Sequence, residues 1–377
     1  MKKLRLGMIG GGQDSFIGAV HRIASRIDDQ WSLEAGCLSS TPERAIASAK
    51  EIGLPFDRSY TSFQEMAEAE KLRDDGIDAV AIVTPNNVHA DPAITFLKAG
   101  IHVICDKPLA SNIEEAESIE DTLNKSGKLL MVTHNYTGYP LIRQAKEMVG
   151  QGELGKIRVI QVEYAQDWLT KNADNKQANW RTDPNQSGGG GCIGDIGTHA
   201  YNLINFVTGI KPRFLSADLS SFVNGRLVDD NAHVFLRYEN GARGILWASQ
   251  VAVGNENNLK LRIFGEKAGI EWSQENPNQM SFTKFEYPKT ILTRSGAGSN
   301  KSGLRISRIP AGHPEGYLEA FATLYSEAAH LVRNSNYGIS LPEGIDVPDI
   351  KAGMDGMRFI NACIISSKLN AKWTSLT

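Results

Sequence analysis

The stretch LRLGMIGGGQDSFIG (residues 4–18) decides the fold, because it combines a short apolar strand, a glycine turn and the start of a helix. Leu4–Gly10 is the predicted strand, and Ile17–Ile27 carries apolar residues at helical spacing. Glycines at such a turn let the backbone approach a pyrophosphate, whose charge is favoured by the N-terminus of the following helix. We therefore expect a dinucleotide site at Gly10–Gly12, with a tight turn that binds nothing as the alternative.

This turn departs in two ways from the usual dinucleotide-binding pattern. Gly10 and Gly12 fill the first two glycine positions, whereas Ser15 stands at the third. After the second predicted strand, Ser39 and Ser40 replace the acidic residue that binds the ribose diol of NAD, and Arg44 follows. These residues could accommodate the 2′-phosphate of NADP, or Arg44 could be a solvated helix residue. The turn alone therefore leaves NAD and NADP open.

Strands and helices alternate through the first third of the chain. Ile77–Val83 is rich in β-branched residues, as expected for a strand buried on both faces of a parallel sheet. Further strands are predicted at Leu33–Leu38, His102–Cys105 and Leu129–Thr133, with helices from Thr41 and over residues 90–99 and 113–126. This alternation predicts a doubly wound parallel sheet in a domain spanning residues 1–135.

The remainder of the chain has a different pattern, and we assign residues 136–377 to a second domain. A long strand is predicted over residues 157–168, then a loop over 169–192 and a helix over 195–207. Several strand-like segments without long helices between them occupy residues 213–287, and two helices follow near Glu315–Arg333 and Asp349–Leu369. We therefore expect an α+β domain with an open, mainly antiparallel sheet, whose last helices could pack on the first domain. The Gly/Ser/Asn stretch at 295–303 is predicted to be a mobile surface loop.

Composition and charge exclude several classes of protein. The 377 residues include 40 Lys and Arg against 43 Asp and Glu, a net charge of −3 that gives no reason to expect nucleic-acid binding. No apolar run approaches the roughly 18–20 residues of a membrane-spanning helix, and the N-terminus lacks the apolar core of a secretory signal. The four cysteines are scattered without a Cys-x-x-Cys pair, which disfavours disulfides and a thiolate metal site. We expect a cytoplasmic protein with no bound metal, no nucleic-acid partner and no membrane partner.

Three motifs carry a resemblance to a known family. They are TPNNVH at 84–89, DKPL at 106–109 and GDIGTH at 194–199. In this order and spacing the chain resembles the Gfo/Idh/MocA family, which includes glucose–fructose oxidoreductase and inositol 2-dehydrogenase. The stretches HNYTGYP (134–140), WRTDP (180–184) and GHPEGY (312–317) resemble the branch that includes levoglucosan dehydrogenase.

The resemblance implies a fold, a cofactor and a chemistry. The family combines an N-terminal Rossmann domain with a C-terminal domain that carries an open antiparallel sheet. It implies NAD as the cofactor, with NADP possible, and a carbohydrate whose secondary hydroxyl is oxidised to a ketone. The family usually has Glu-Lys-Pro where this chain has Asp106-Lys107-Pro108, a conservative departure.

Three residues are the expected catalytic groups. Lys107 follows a buried strand at the carboxyl edge of the parallel sheet, where ligands of such sheets bind. Asp195 and His199 are four residues apart, so on a helix they share one face. With the family's pattern, His199 is the expected acid/base, Asp195 positions the hydroxyl, and Lys107 lowers the pKa of the hydroxyl or shares its proton.

The resemblance also implies two sets of binding residues. The cofactor set is Gly10, Gly12, Gln13, Ser15, Phe16, Ile17, Ser39, Ser40, Arg44, Thr84, Pro85, Asn86, His89, Asp106, Lys107, Asn135, Trp180 and Arg181. The substrate set is Lys107, Tyr136, Asp167, Trp168, Arg181, Asp195, His199 and His313. Purely structural roles remain the alternative for Asp167, Trp168 and His313.

The same resemblance leaves two alternative functions to consider, and it also implies an oligomeric state. An NAD-dependent glycosidase, which oxidises, eliminates, hydrates and re-reduces, would begin with the same hydride abstraction, and Tyr136 could supply its second base. A cofactor-sensing protein without catalysis is disfavoured because Lys107, Asp195 and His199 are all present. The open sheet should expose apolar side chains on segments that hold Phe222, Phe235 and Trp247, and the family implies dimers or tetramers formed through this face.

Overall fold

The computed structural model describes residues 2–376 and contains two compact units. Unit one comprises the chain up to Asn135 together with Tyr317–Met354. Unit two comprises Tyr136–Gly316 and the residues from Asp355 onward.

Strands and helices are numbered along the chain. The strands are β1 Leu4–Gly10, β2 Trp31–Cys37, β3 Ala79–Val83, β4 His102–Cys105, β5 Leu130–Val132, β6 Ile157–Ala165, β7 Pro212–Ser220, β8 Asn231–Tyr238, β9 Arg243–Ser249, β10 Asn258–Gly265, β11 Ala268–Ser273, β12 Gln279–Lys284, β13 Thr290–Thr293 and β14 Thr374–Ser375. The helices are α1 Phe16–Ile27, α2 Pro42–Glu51, α3 Phe63–Leu72, α4 Ala90–Lys98, α5 Ile113–Ser126, α6 Pro140–Gly150, α7 Lys176–Arg181, α8 Pro184–Ser187, α9 Thr198–Thr208, α10 Lys301–Ile306, α11 Tyr317–Tyr337 and α12 Ile350–Lys368. Short 3₁₀ turns occur at Phe56–Arg58, Asn86–Val88 and Asn135–Gly138, and a π-helical turn at Ile193–Gly197.

Unit one contains a five-stranded parallel sheet in the order β2-β1-β3-β4-β5. All five residues of β3 are buried, because helices cover both faces of a doubly wound sheet. The Trp31 indole donates a hydrogen bond to the Tyr325 carbonyl at 2.8 Å, and the Tyr325 hydroxyl lies 2.8 Å from Nδ1 of His21. These buried contacts join α1, β2 and α11 and show that the late helix α11 belongs to unit one.

Unit two contains a nine-stranded sheet in the order β13-β12-β11-β10-β6-β9-β8-β7-β14. Every neighbouring pair is antiparallel except β6 and β9, which are parallel. Burial alternates along β8, and α9 packs against β6 and β9 on one face of the sheet. The opposite face exposes apolar side chains, including Phe235. The two sheets confirm the predicted fold class.

Two predicted segments of unit two end or begin differently from the prediction. The strand predicted over 157–168 stops at Ala165, because the chain turns at Asp167, whose carbonyl accepts from the amide of Thr170 at 3.1 Å. The helix predicted over 195–207 begins with the π-helical turn and becomes α-helical only at Thr198. Asp195 therefore does not share regular α-helical geometry with His199.

Five helices lie where no helix was predicted, and two of them, α7 and α8, lie within the loop predicted over 169–192. Helices α3 and α6 were missed, and the predicted mobile loop at 295–303 contains the start of α10. Asn300 caps α10 by accepting from the amide of Gly303 at 3.1 Å, and its own side chain donates to the Gln144 carbonyl at 3.1 Å. Contact with α6 orders this segment, which its polar composition did not indicate. Within residues 2–376, no helix is both long enough and apolar enough to cross a membrane.

Candidate cofactor and substrate sites

The glycine turn of unit one is shaped for close approach of a ligand. Gly10 and Gly11 have φ values of +76° and +73°, which other residues rarely adopt. A Cβ atom at Gly12 would lie 2.6 Å from the Leu38 carbonyl oxygen, so the turn has no room for a side chain there. The turn at the N-terminus of α1 therefore requires glycine, and Gly10 and Gly12 are half-buried there, as a pyrophosphate-binding turn would need.

Ser15 and Gly18 together explain why the third glycine of the pattern is absent. Ser15 is the N-cap of α1, and its hydroxyl accepts from the Gly18 amide at 3.2 Å. A Cβ atom at Gly18 would lie 2.3 Å from the Cα atom of Gly11, so Gly18 makes the close helix–strand contact usually made by the third glycine. The fingerprint is therefore displaced by three residues rather than incomplete.

The polar residues that follow β2 have different partners, and one of them, Arg44, contacts the segment after the glycine turn. Arg44 forms an exposed ion pair with Asp14, 3.2 Å between Nη2 and Oδ2. The Ser39 hydroxyl accepts from the Thr41 amide at 3.2 Å, and Ser40 is exposed. Arg44 is thus exposed and has a carboxylate partner, while a contact with a 2′-phosphate remains one of the two alternatives for it.

Four other members of the predicted cofactor set lie near these elements of unit one. The Gln13 amide donates to the Ser48 hydroxyl at 3.1 Å, and Ile17 packs into the apolar core. Phe16 is exposed, with its ring stacked 6.4 Å from that of Tyr317. Pro85 is half-buried at the end of β3.

Each ring nitrogen of His89, a member of the predicted cofactor set, lies close to a backbone carbonyl oxygen. Its Nδ1 lies 2.8 Å from the Pro108 carbonyl oxygen and its Nε2 lies 3.0 Å from the Thr84 carbonyl oxygen. The ring is fully buried, and burial lowers the pKa of His89. His89 thus ties the end of β3 to the turn after β4, and its contact with the cofactor stays a prediction. Asn86, in the same segment, is also buried.

The turn that carries Lys107 is fixed by polar contacts. Asp106 Oδ1 accepts from the Lys107 amide at 2.9 Å and from the Thr133 hydroxyl at 2.7 Å. The Lys107–Pro108 peptide is cis. These bonds hold the backbone of Lys107 at the carboxyl edge of the parallel sheet, between the ends of β4 and β5.

The side chain of Asn135 shows whether the carboxyl edge of the parallel sheet fits a cofactor. Its side chain is fully buried at the end of β5, and neither its amide nitrogen nor its oxygen has a hydrogen-bond partner among residues 2–376. A buried amide without partners is costly unless a ligand supplies them. Together with the glycine turn, this amide fits a group with donors and acceptors, such as the nicotinamide ribose.

Unit two anchors the carboxylate of Asp195 from two sides. Its Oδ2 accepts from Nε of Arg181 at 3.1 Å and from Nε2 of Gln250 at 2.9 Å. Arg181 lies at the end of α7, and its guanidinium stacks 4.2 Å from the centre of the Trp180 ring. Gln250 directly follows β9. The ends of α7 and β9 and the π-helical turn therefore meet at one carboxylate.

The His199 imidazole lies in an aromatic environment on the first turn of α9. The side chain is buried, and its ring packs edge-on against Tyr136, with 4.9 Å between the ring centres. The Tyr164 ring is 6.2 Å away. Burial is the main cause of a raised pKa for Tyr136, whose hydroxyl lies 2.5 Å from that of Tyr164.

The remaining members of the predicted substrate set differ in their surroundings. Trp168 is partly exposed, and its ring centre is 5.9 Å from the Arg181 guanidinium carbon. Asp167 Oδ2 accepts from the Gly254 amide at 2.9 Å, which ties its side chain to a loop. His313 is exposed, and its carbonyl accepts from Arg294, so the structure links its backbone, not its ring, to the rest of unit two.

Comparison with known proteins connects the two units to one family. A model described as an oxidoreductase family with an NAD-binding Rossmann fold matches residues 4–134, and a GFO/IDH/MocA C-terminal domain model matches residues 142–271. An oxidoreductase from Sinorhizobium meliloti of known structure is 51% identical, with a TM-score of 0.92 and 100% of each chain covered. The chain belongs to the GFO/IDH/MocA family of oxidoreductases. This confirms the resemblance and the expectation of an NAD-dependent enzyme.

Two further members of the GFO/IDH/MocA family are named for their ligands or reactions. The structure of an inositol dehydrogenase homolog from Azotobacter vinelandii, complexed with NADH and myo-inositol, is 34% identical, has a TM-score of 0.94, and covers 99% of this chain and 98% of that chain. Levoglucosan dehydrogenase from Pseudarthrobacter phenanthrenivorans is 27% identical, over 100% of this chain and 99% of its own length.

Sequence reasoning missed several residues that build this GFO/IDH/MocA site. Gln250 was not predicted, and neither was Asp229, whose carboxylate accepts from the amides of Gly191 and Ile193 at 2.6 and 2.8 Å. Burial raises the pKa of Asp229, and the Cys192 thiol also donates to it, at 3.0 Å. These residues are distant in sequence from GDIGTH, so only the tertiary structure could reveal them. Among the residues that the structure describes, no group of three His, Cys, Asp or Glu side chains is arranged to hold a metal ion.

Proposed function

We propose that this GFO/IDH/MocA enzyme oxidises a secondary hydroxyl of a sugar, glycoside or cyclitol to a ketone, with NAD as the hydride acceptor. The observation that carries the proposal is the anchored carboxylate of Asp195 beside the segment that presents the buried imidazole of His199. A carboxylate fixed by Arg181 and Gln250 accepts a hydrogen bond from a hydroxyl and orients it, and an imidazole accepts its proton.

Each residue has a separate part in this proposal. His199 takes the hydroxyl proton as the carbinol hydrogen leaves, and the rings of Tyr136 and Tyr164 hold the imidazole in place. Asp195 positions the hydroxyl. Lys107 stabilises the negative charge that develops on the hydroxyl oxygen, which lowers the pKa of that hydroxyl.

The cofactor set supports the same proposal from unit one. When bound, NAD supplies the acceptor for the hydride. Gly10–Gly12 and the N-terminus of α1 would hold its pyrophosphate, and the buried amide of Asn135 would bind near its reactive end. We propose that Asp14 contributes to the preference for NAD, because its carboxylate lies beside Arg44 and would repel a 2′-phosphate.

The substrate class rests on the relatives and on the residues around Asp195. An inositol dehydrogenase homolog and levoglucosan dehydrogenase both act on or bind polyhydroxylated rings. Trp168 offers a partly exposed aromatic ring, and Asp167 and His313 add polar groups. We propose that these three residues contribute to binding such a ring.

A substrate panel tests the proposal. Purified enzyme is incubated with NAD or NADP and with cyclitols, aldoses, anhydrosugars and glycosides, while the absorbance of the reduced cofactor is followed. We expect NADH formation with at least one cyclic polyol. Failure of every member of the panel, with protein that is folded and binds NAD, would contradict the proposal.

We also propose that two copies associate through the open face of the nine-stranded sheet. Phe235 on β8 and Ile245 on β9 are direct neighbours in the sheet and are 55% and 41% exposed. At one end of this face, Phe222 and Trp247 line a cavity of about 570 Å³. Exposed apolar side chains grouped on one face of a sheet commonly mark an interface.

A further inference from the structure

A chain of hydrogen bonds runs through unit two from Trp168 to the tyrosines that pack against His199. The Trp168 indole lies 3.0 Å from Gln166 Oε1, and Gln166 Nε2 lies 2.8 Å from Asn257 Oδ1. The Tyr164 hydroxyl lies 2.7 Å from the same Asn257 oxygen and 2.5 Å from the Tyr136 hydroxyl. Neither Gln166 nor Asn257 belongs to a motif of the family resemblance.

The chemistry of Trp168 determines the direction of every bond in this chain. An indole N–H only donates, so the Gln166 atom that faces it must be the carbonyl oxygen. The Gln166 amide nitrogen then faces Asn257, and the Asn257 atom that receives it must be its oxygen. One donor-only group therefore fixes the orientation of two side-chain amides.

The same reasoning from donors and acceptors assigns the hydroxyl protons of the two tyrosines. An amide oxygen only accepts, so the Tyr164 hydroxyl donates its single proton to Asn257. In the 2.5 Å contact between the hydroxyls, Tyr164 must therefore accept and Tyr136 must donate. The Asn257 amide nitrogen completes the arrangement, at 3.4 Å from the Tyr136 oxygen and 3.0 Å from Gln274 Oε1.

This arrangement cannot carry a proton away from His199. A relay needs groups that both receive and release a proton, and the chain ends at amides, which do not exchange protons readily. What the bonds do accomplish is mechanical. They fix the hydroxyl ends of two buried rings whose centres lie 4.9 and 6.2 Å from the centre of the imidazole.

We propose that Asn257, oriented by Trp168 through Gln166, is a positioning residue that holds the His199 imidazole by fastening Tyr136 and Tyr164. The proposal rests on the proposed role of His199 as the proton acceptor. It also assigns Tyr136 as a committed hydrogen-bond donor, and not as the second base that a redox glycosidase would require. Trp168 then acts on the acid/base group in addition to any contact with substrate.

The test compares substitutions that break the chain at different links in the full-length protein. Asn257→Leu removes both amide groups, and Tyr164→Phe keeps the ring but removes the hydroxyl. Gln166→Glu keeps the acceptor for Trp168 but removes the donor to Asn257, so it tests the direction of the chain rather than its packing. The exposed Asn276→Leu is the matched control.

Two readouts are measured for each variant. Ring resonances of His199, assigned by loss of the signal in His199→Ala, are titrated by NMR in the cofactor-free protein. We expect the His199 signal and its titration midpoint to move in Asn257→Leu, Tyr164→Phe and Gln166→Glu, and to stay unchanged in Asn276→Leu. With a substrate, kcat should fall about tenfold with unchanged KM for NAD, since misplacing a reacting group by about 1 Å can cost on the order of 100-fold.

The outcomes separate this inference from the proposed function. A His199 signal unchanged in folded Asn257→Leu and Tyr164→Phe protein would overturn the positioning role, whatever the activity. Wild-type behaviour of Gln166→Glu alone would overturn the assigned direction of the bonds. Full turnover by His199→Ala would instead contradict the proposed function, because the NMR result does not depend on catalysis.

Discussion

At the scale of single residues, Asp195 and His199 are held by different kinds of partner. Two donors fix the carboxylate of Asp195, whereas aromatic rings surround the imidazole of His199. A charged group that is anchored by hydrogen bonds is suited to orienting a substrate hydroxyl. A ring that is packed among aromatic side chains has a fixed orientation, which suits a group that transfers a proton.

The first prediction concerns these roles and Lys107. His199→Ala and Lys107→Ala should each lower kcat on the order of 100-fold or more, the usual scale for acid–base groups, while NAD still binds. Asp195→Asn should mainly raise the KM for substrate. Steady-state kinetics and NAD titration check this, and wild-type turnover of either alanine variant would remove that residue from the mechanism.

The second prediction concerns the choice of cofactor. Asp14→Asn removes the carboxylate beside Arg44, so Arg44 becomes available to a 2′-phosphate and the repulsion disappears. The ratio of kcat/KM for NADP to that for NAD should rise a few-fold, the scale of an exposed charge pair. Arg44→Ala in the same background should cancel the gain. An unchanged ratio in Asp14→Asn would show that this pair does not face the ribose.

At the scale of elements, the turn between β1 and α1 depends on the absence of side chains. Gly12→Ala places a Cβ atom 2.6 Å from the Leu38 carbonyl and the Ser48 hydroxyl, and both would have to move. We expect NAD affinity to fall by at least tenfold, while the substrate residues of unit two are untouched. Gly150→Ala is the control, since a Cβ atom there meets nothing within 4 Å. Equal NAD affinity in both variants would argue against binding at this turn.

The sequence predicted those elements whose signal is local. The apolar run of β3 and the glycines after β1 depend on neighbouring residues, so both could be located from the sequence. The π-helical turn at Ile193–Gly197 could not, because its N-terminal amides bond to Asp229, which lies far along the chain. For the same reason α10 was predicted as a mobile loop, since its order comes from contact with α6.

Prediction of the site residues from the sequence was limited in the same way. Motif residues such as Lys107, Asp195 and His199 could be singled out from the sequence, but only some of their supporting partners, such as Arg181 and Tyr136, could. Gln250 and Asn257 are ordinary polar residues in the sequence, and only the folded sheet brings them to Asp195 and Tyr164. His89 shows the same limit, because its motif did not reveal that the ring is buried between two backbone carbonyls.

At the scale of the whole molecule, buried histidines predict a dependence of stability on pH. Burial lowers the pKa of His21 to about 4 and that of His134 to about 3, from an ordinary value of 6.5. Between these values and 6.5 the unfolded chain binds protons that the folded chain does not, so stability rises as the pH rises from about 4 to 6.5.

Urea unfolding at several pH values measures this dependence. His21→Gln should weaken the rise in the unfolding midpoint between pH 4.5 and 6.5, whereas substitution of the exposed His313 should leave it intact. The contribution of His21 is on the order of 2 kcal/mol over this range. An identical pH dependence in wild type and His21→Gln would contradict the role of burial.

The proposed association of two copies also belongs to the scale of the whole molecule. Phe235→Glu places a charge on the open face of the nine-stranded sheet, next to Ile245. Light scattering at micromolar concentration should show a dimer or tetramer for the wild type and a smaller species for this variant. Phe56→Glu, at an 86% exposed position in unit one, should not change the mass. A monomeric wild-type protein would refute the proposed interface.

We propose that the enzyme oxidises its substrate and releases the reduced cofactor. The most direct test follows NADH and product together while the enzyme acts, in deuterated water, on the best polyol and on aryl glycosides. We predict one NADH for each ketone formed, with no release of aglycone. Release of aglycone without accumulation of NADH, and with deuterium incorporated next to the transiently oxidised carbon, would instead identify a redox glycosidase and contradict the account.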